Sequence, residues 1–298
     1  MKGIINVLKP PNMTSHDVVA VVRRVLHTKK VGHTGTLDPM AAGVLPICVG
    51  KATKIVEFLQ EDQKTYRAEM TLGAVTDTQD IWGAVLEEKE PVVDQQLIIE
   101  AINSFVGEIE QVPPMYSALK VNGKKLCDLA REGKTVERQP RVRHIYSIEI
   151  ISVEGNKAIF NVTCSKGTYI RTLCHDIGQK LGCGAHMSFL LRIRSGNFRI
   201  ADSLTVEELR GTDIDKDLHK ILQPIENGLT ELRRLKIDEF TWGKVKNGVK
   251  MNLLKFFKGE NLLEGEQLLV FFKDEFIALA KVSIIDGHYR IIVDKRFG

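Results

Sequence analysis

Apolar residues along the chain fall into short runs whose spacing alternates between the period of a strand and that of a helix. Ile4 to Leu8 reads as a short buried strand, closed by Lys9-Pro10-Pro11. Thr14 to His27 reads as a helix with Thr14 or Ser15 as its cap and Val18, Val19, Val22, Val25 and Leu26 on one face. Val44 to Val49 is apolar enough for a buried strand, and Lys54 to Gln60 for a helix with Ile55, Phe58 and Leu59 inward. Thr65 to Leu72 alternates, with Tyr66, Ala68, Met70 and Leu72 on one side and Thr65, Arg67, Glu69 and Thr71 on the other. Asp94 opens another helix, carried by Leu97, Ile98, Ala101, Ile102 and Phe105. Strands near 142–153 and 157–164 join through Glu154-Gly155-Asn156, and a helix near 168–181 carries Ile170, Leu173, Ile177 and Leu181. Strands and helices mix without a strict strand–helix–strand rhythm, which predicts the α+β class.

The pattern changes near Gln223-Pro224-Ile225-Glu226-Asn227-Gly228. Beyond it, "LLEGEQLLVFF", "FIALAKVSIID" and "YRIIVD" are apolar runs separated by glycine and charged turns. A small β-rich domain over 229–298 is expected after a larger domain over 1–228, within a chain of 298 residues.

Composition adds little to this picture until charge is placed along it. A hydrophobic content of 43% and a charged content of 27% describe a globular protein with a substantial core. No stretch reaches the apolar length of a membrane span and the first residues lack a secretory signal, so the expectation is a cytoplasmic protein. The five cysteines, Cys48, Cys127, Cys164, Cys174 and Cys183, form no CxxC pair, so neither a disulfide framework nor a structural metal site is expected. From Ser117 to Tyr146, eight lysines and arginines stand against three acids, a local net of +5 in a chain whose total is +4. Such a concentration fits either a solvated loop or a surface for a polyanion, most naturally nucleic acid.

Candidate chemistry is sparse. "GVLPICVGK" at 43–51 puts six residues between its glycines where a phosphate loop needs about four, and Ala52 stands where a magnesium-binding hydroxyl belongs. No GxSxG, HExxH or dinucleotide-binding glycine pattern appears, so chemistry without bound nucleotide or metal is expected. "HTGTLDPMAAGVLP" at 33–46 sets a single carboxylate, Asp38, among glycines, prolines and small residues. Locally, Asp-Pro is an ordinary turn opener. As a catalytic group, Asp38 would have to act as a lone side chain.

"GHTGTLDPMAAGVLP" (32–46) closely resembles the catalytic motif of bacterial tRNA pseudouridine-55 synthases of the TruB type. "LKPPNMTSHDVV" (8–19), "KTYRAEMTLGAVTDTQD" (64–80), "QVPPMYSALKVNGKKL" (111–126), "SKGTYIRTLCHDIG" (165–178) and "AHMSFLLRIRSGNF" (185–198) resemble the same family in the same order. Asn12, where glycine is usual, and Leu191, where arginine is common, depart from its pattern. The resemblance implies a catalytic domain of pseudouridine-synthase type, with a mixed, largely antiparallel sheet and a basic RNA-clasping insertion at 111–146. It further implies a C-terminal PUA-like domain that touches the acceptor end of tRNA. The implied reaction isomerises a uridine of the T loop to pseudouridine with no cofactor.

By the same resemblance Asp38 is the catalytic aspartate and Arg171 its pairing cation. Tyr66 stacks on the uracil, Tyr169 positions Arg171 and the uridine, and Leu190 forms an apolar wall of the base pocket. His33 holds the T loop open, and Lys9 and Lys64 contact phosphate or line the pocket. Without it, Arg171 reads as a surface helix arginine, because Ile170 and Leu173 own the apolar stripe, and Tyr66 and Leu190 read as core. The insertion is expected to be mobile without RNA, and the chain to act as a monomer with tRNA as its partner. Two other readings stand beside that of a synthase: a tRNA-folding chaperone that uses the same basic surface and needs no Asp38, and a guide-RNA-dependent relative in a larger ribonucleoprotein. The insertion favours the stand-alone enzyme over the latter.

Overall fold

The computed structural model describes residues 1–121, 123–247, 249, 251–252 and 262–297. The first strand, β1 (Lys2–Lys9), runs into a turn where Asn12 takes a φ of 64°. Asparagine tolerates this left-handed conformation, so it can stand where glycine is usual. Thr14 then caps α1 (Ser15–Val25): its hydroxyl accepts from the Asp17 N–H, and the Asp17 carboxylate accepts from the Thr14 N–H at 2.8 Å. After α1 come β2 (Val31–His33) and β3 (Ala42–Gly50), then a 3-10 turn over Lys51–Ile55 that leads into α2 (Val56–Glu61). The alternating run forms β4 (Lys64–Leu72), with Ala68, Met70 and Leu72 buried.

A small hairpin, β5 (Ala74–Thr76) and β6 (Val85–Glu88), precedes α3 (Gln95–Asn103), which Asp94 caps. Leu97 of α3 is 51% exposed, so the inward face is Ile98, Ala101 and Ile102 alone. Strand β7 (Gly107–Gln111) leads into the basic segment, which holds a hairpin, β8 (Lys120–Val121) and β9 (Lys124–Lys125), and helix α4 (Leu126–Arg131). Asn122 lies outside the described residues. Strands β10 (Arg141–Glu154) and β11 (Lys157–Cys164) follow, then α5 (Ile170–Lys180) and β12 (Ala185–Ser195). Because Gln111 ends β7 and Arg141 begins β10, the segment outside the sheet is 112–140, shorter at both ends than the sequence suggested.

With short strands β13 (Phe198–Arg199) and β14 (Leu204–Thr205), these form a ten-stranded sheet in the order β14-β1-β3-β12-β4-β11-β10-β7, with β13 on β12 and β2 on β3. The β1–β14 and β3–β12 pairs are parallel and the others antiparallel, as expected of a mixed, largely antiparallel α+β sheet. The parallel pairing of β12 with β3 joins the two halves of the sheet, and Gly43 makes it possible. Its φ is +124°, and a Cβ there would lie 2.3 Å from the carbonyl oxygen of Arg192.

A second sheet comprises β15 (Arg233–Lys236), β16 (Met251–Asn252), β17 (Gln267–Phe272), β18 (Glu275–Ile285) and β19 (His288–Arg296), in the order β15-β17-β18-β19-β16. Residues 253–261 of the expected C-terminal domain lie outside the described residues. This sheet has an apolar cluster of its own around Leu235, Val245, Leu268 and Ile291. It also shares one with the first sheet: Phe271, Phe276, Leu279 and Phe297 pack among Ile4, Val44, Ile55 and Leu59. The Lys2 ammonium bonds the Phe297 carbonyl at 3.0 Å and Glu275 at 2.9 Å across the same seam.

Candidate active site

Residues 34–41, between β2 and β3, have almost no regular structure of their own and are held from outside. The Thr34 N–H donates to the Pro46 carbonyl at 3.2 Å. Ser15, the first residue of α1, accepts from the Leu37 N–H at 2.9 Å and donates back to the Leu37 carbonyl at 3.3 Å. Arg192 of β12 is 1% exposed and reaches the Gly35 carbonyl at 3.1 Å and the Val44 carbonyl at 2.7 Å. Lys9, at the end of β1, donates to the carbonyls of Met13 at 2.6 Å, Pro10 at 2.9 Å and Pro39 at 3.1 Å. Leu37 and Pro39 flank Asp38, so its backbone is fixed on both sides.

The Asp38 carboxylate accepts from Nη2 of Arg171 at 2.5 Å, and Nη1 of the same guanidinium lies 3.5 Å from Asp80. Asp80 is itself held by the Thr78 hydroxyl at 2.6 Å and the Trp82 N–H at 3.2 Å. Arg171 sits in the first turn of α5, where the helix dipole disfavours a cation, and the two carboxylates compensate it. Side-chain exposure is 7% for Arg171 and 43% for Asp38, so the carboxylate is the member of the pair that faces the cavity. Burial at the cavity floor pushes the Asp38 carboxyl above its ordinary pKa; Arg171 opposes the shift and Asp80 adds to it.

That cavity has a volume of about 620 Å³, within the usual range for small-ligand pockets. Its walls include Tyr66, Tyr169, Leu190 and Lys64 around Asp38 and Arg171, with Ser117 and Ala118 contributed by the basic segment. A second compartment of about 290 Å³ shares Asp38, Arg171, Met187 and Leu190 and extends to Trp82 and Tyr116. A larger cavity, about 1110 Å³, lies at the seam of the two sheets. Glu57, Glu61, Asp62, Glu231 and Asp294 face only Arg194 and Lys295 there, a charge balance of the wrong sign for a polyanion. The cavity containing Asp38 is therefore the candidate active site: a carboxylate backed by a guanidinium, a phenol, an apolar wall and a basic flap.

Residues 23–170 match the model of the TruB family pseudouridylate synthase N-terminal domain, and residues 171–230 match that of the tRNA pseudouridylate synthase B C-terminal domain. The tRNA pseudouridine synthase B of Alkaliphilus oremlandii is 48% identical, over 98% of this chain and 97% of its own length. The chain belongs to the TruB pseudouridylate synthase family. The synthase B of Clostridioides difficile is 46% identical over the full length of both chains. Among solved structures, a Cbf5–Nop10–Gar1 complex contains a similar chain with a TM-score of 0.77 and 32% identity, covering 98% of this chain and 83% of that one. An H/ACA RNP bound to a substrate RNA containing 2′-deoxyuridine gives the same TM-score at 29% identity, covering 99% of this chain and 85% of that one.

In this TruB-family chain, six of the expected site residues share one cavity: Asp38, Arg171, Tyr66, Tyr169, Leu190 and Lys64. Burial raises the pKa of the Tyr66 phenol, with the Arg192 guanidinium opposing the shift. His33 is not among the lining residues. It stands beside the loop in an edge-on contact with His16 at 5.3 Å between ring centroids. Burial, with the nearby charges of His16 and Arg192, lowers its pKa to about 4, so it is a neutral ring at pH 7.

Of the two lysines expected at phosphate or pocket, Lys64 lines the cavity and Lys9 does not. Lys9 is fully buried, and its three ammonium protons are used on three carbonyls. Lys64 borders the cavity, but its ammonium caps the end of α2 on the carbonyls of Leu59, Gln60 and Asp62, at 3.5, 2.6 and 2.5 Å. Burial lowers the pKa of both to about 8. Three site groups escaped the sequence reading. Asp80 sits in a polar turn string, "TDTQD", and Gln111 at a strand end, where both look like solvent-facing residues. Arg192 interrupts an apolar run, and a buried cation in such a place was the available signal.

Proposed function

We propose that this protein is a tRNA pseudouridine synthase that isomerises uridine 55, in the T loop, using Asp38. The carrying observation is the 2.5 Å ion pair between Arg171 and Asp38 on the floor of a cavity with an apolar wall and a phenol. In the reaction C1′–N1 breaks, the uracil turns over and C1′–C5 forms. The C5 proton is lost and N1 gains one, so atoms and electrons balance without a co-reactant. A carboxylate serves either by adding to C1′ or by removing the C2′ proton, and both require its ionised form. Arg171 favours that form and orients it. Tyr66 and Leu190 hold the base between a ring and an aliphatic wall.

A uridine stacked inside folded RNA must be extruded to reach this cavity, at a cost of a few kcal/mol. The basic segment supplies phosphate contacts that position the RNA without reading its sequence. We assign the T arm to this segment and the cavity, and the acceptor end to the second, PUA-like sheet, with the protein acting as a cytoplasmic monomer. Among the described residues no helix is long and apolar enough to cross a membrane.

The test is Asp38→Asn against unmodified tRNA transcript, with pseudouridine mapped in the product and binding measured separately. Loss of pseudouridine at position 55 with binding retained supports the assignment. Unchanged product, or product at another position, refutes it. Activity on an isolated T-arm stem-loop separates the stand-alone enzyme from one that depends on a guide RNA.

A further inference from the structure

Gln111 makes hydrogen bonds that the chemistry above does not use. It is 1% exposed and ends β7, the edge strand of the first sheet. Its side-chain oxygen accepts from the Tyr169 N–H at 3.0 Å, and its side-chain nitrogen donates to the Tyr169 carbonyl at 3.1 Å. Tyr169 is the N-cap residue of α5 and has no capping bond from its own side chain. Its carbonyl also accepts the first helical bond, from the Leu173 N–H at 3.0 Å. A glutamine 58 positions earlier therefore fixes the entry of the helix that carries Arg171.

The same residue is the root of the basic segment. Gln111 pairs across the sheet with Arg141, so the segment leaves the fold at one member of this pair and re-enters at the other. Among the described residues, a single edge pairing, β7 on β10, holds that root in the sheet. A pivot of the segment on nucleic acid pulls on Gln111, and Gln111 has no freedom to move without Tyr169. Two residues on, Arg171 is the group that opposes the burial-raised pKa of Asp38 and fixes its direction.

We propose that Gln111 is a positioning residue that couples the root of the basic segment to the Arg171–Asp38 pair by gripping both backbone groups of Tyr169. The coupling rests on the proposed synthase activity for its purpose, though the geometric link stands without it. The charged groups facing Asp38 are Arg171 from α5, Asp80 from the turn after β5 and Lys9 from β1. Of these, only Arg171 lies on the helix whose N-cap residue Gln111 holds.

Gln111→Met keeps length and volume and removes both bonds. Expected are a kcat lower by about tenfold to a hundredfold, a KM for tRNA within about threefold of the parent, and an acid limb of the kcat–pH profile moved to higher pH. The Asp38 carboxyl resonance of aspartate-labelled protein, titrated by ¹³C NMR without RNA, moves the same way. That readout stays informative if no pseudouridine is made, which separates failure of this coupling from failure of the assigned reaction.

Should Gln111→Met not fold, Gln111→Glu carries the test. A protonated glutamate restores both bonds and an ionised one only the first, with Arg141 as the cation paired across the sheet. Its NMR-read Asp38 titration, and its activity relative to the parent, approach parental values as pH falls from about 8 to about 6. Parental kcat, pH profile and Asp38 titration in Gln111→Met overturn the proposal. So does a defect confined to KM or thermal stability, or a Gln111→Glu ratio that does not change with pH.

Discussion

The loop that carries Asp38 and the segment over 112–140 are both irregular, glycine-bearing and polar, yet they are built in opposite ways. The loop is bonded by side chains from α1, β1 and β12, each a well-anchored element, and its aspartate meets a buried guanidinium. The basic segment has a hairpin of two-residue strands and one short helix, with Leu126, Leu129, Pro113 and Pro114 as its buried apolar residues among those described. Its ion pairs, Lys134–Glu132 and Arg131–Asp128, are exposed and stay within the segment. Chemistry on a carboxylate needs orientation fixed before the substrate arrives. Capture of a bulky polyanion needs a surface that can shift. The function proposed above assigns one irregular stretch to each need, and the two differ in who supplies their hydrogen bonds.

Breaking the rigid side of this contrast has the largest expected effects. Arg171→Lys replaces a two-carboxylate fork with a point charge, and kcat is expected to fall by about a hundredfold or more. Its acid limb should also move to higher pH. The sign follows from the active form: the ionised carboxylate works, protonation at low pH removes it, and losing the guanidinium raises the pKa further. A kcat–pH profile measured beside the parent checks both parts. Gly43→Ala drives a methyl into the Arg192 backbone in a left-handed conformation, so a loss of about 3 kcal/mol or more in urea unfolding is expected.

Lys9→Met leaves the Met13, Pro10 and Pro39 carbonyls without their donor. A loss of about 2 kcal/mol is expected, with lowered kcat because Pro39 adjoins Asp38. A burial-lowered lysine pKa also means that the cost of the buried charge is present at neutral pH and relieved as pH rises from about 8 towards 10.5. The stability difference between parent and variant should therefore change across that interval and not below it.

The basic segment gives the smallest effects. Lys124→Ala with Lys125→Ala, both on exposed β9, should raise KM by about threefold to tenfold and lower the salt slope by about one for each phosphate no longer neutralised. kcat at saturating tRNA should hold. Amide exchange over 112–140 should be fast in the free protein and slow with RNA bound; equal protection in both states removes the contrast at its source.

Sequence pattern carried the alternating β4, the capped α1 and the run of α5, because each element buries one simple stripe. It left β12 unread as a strand, since an arginine faces inward in the middle of it and its apolar residues do not alternate cleanly. Arg171 shows the same limit at one residue. The stripe of Ile170, Leu173 and Ile177 assigns the core face of α5 and leaves the arginine for solvent, whereas the helix start opens onto a cavity and buries it. Only resemblance to a known family placed it. Asp80 and Gln111 depend on partners far along the chain, and no local pattern registers such a partner.

Phe297 lies fully buried in the cluster that both sheets share. Swinging the second sheet away would strip that ring and its neighbours of cover, so the spacing of the two sheets is held by the cluster they share. On the function proposed above, an RNA reaching from the Asp38 cavity to the far sheet would have to match this span.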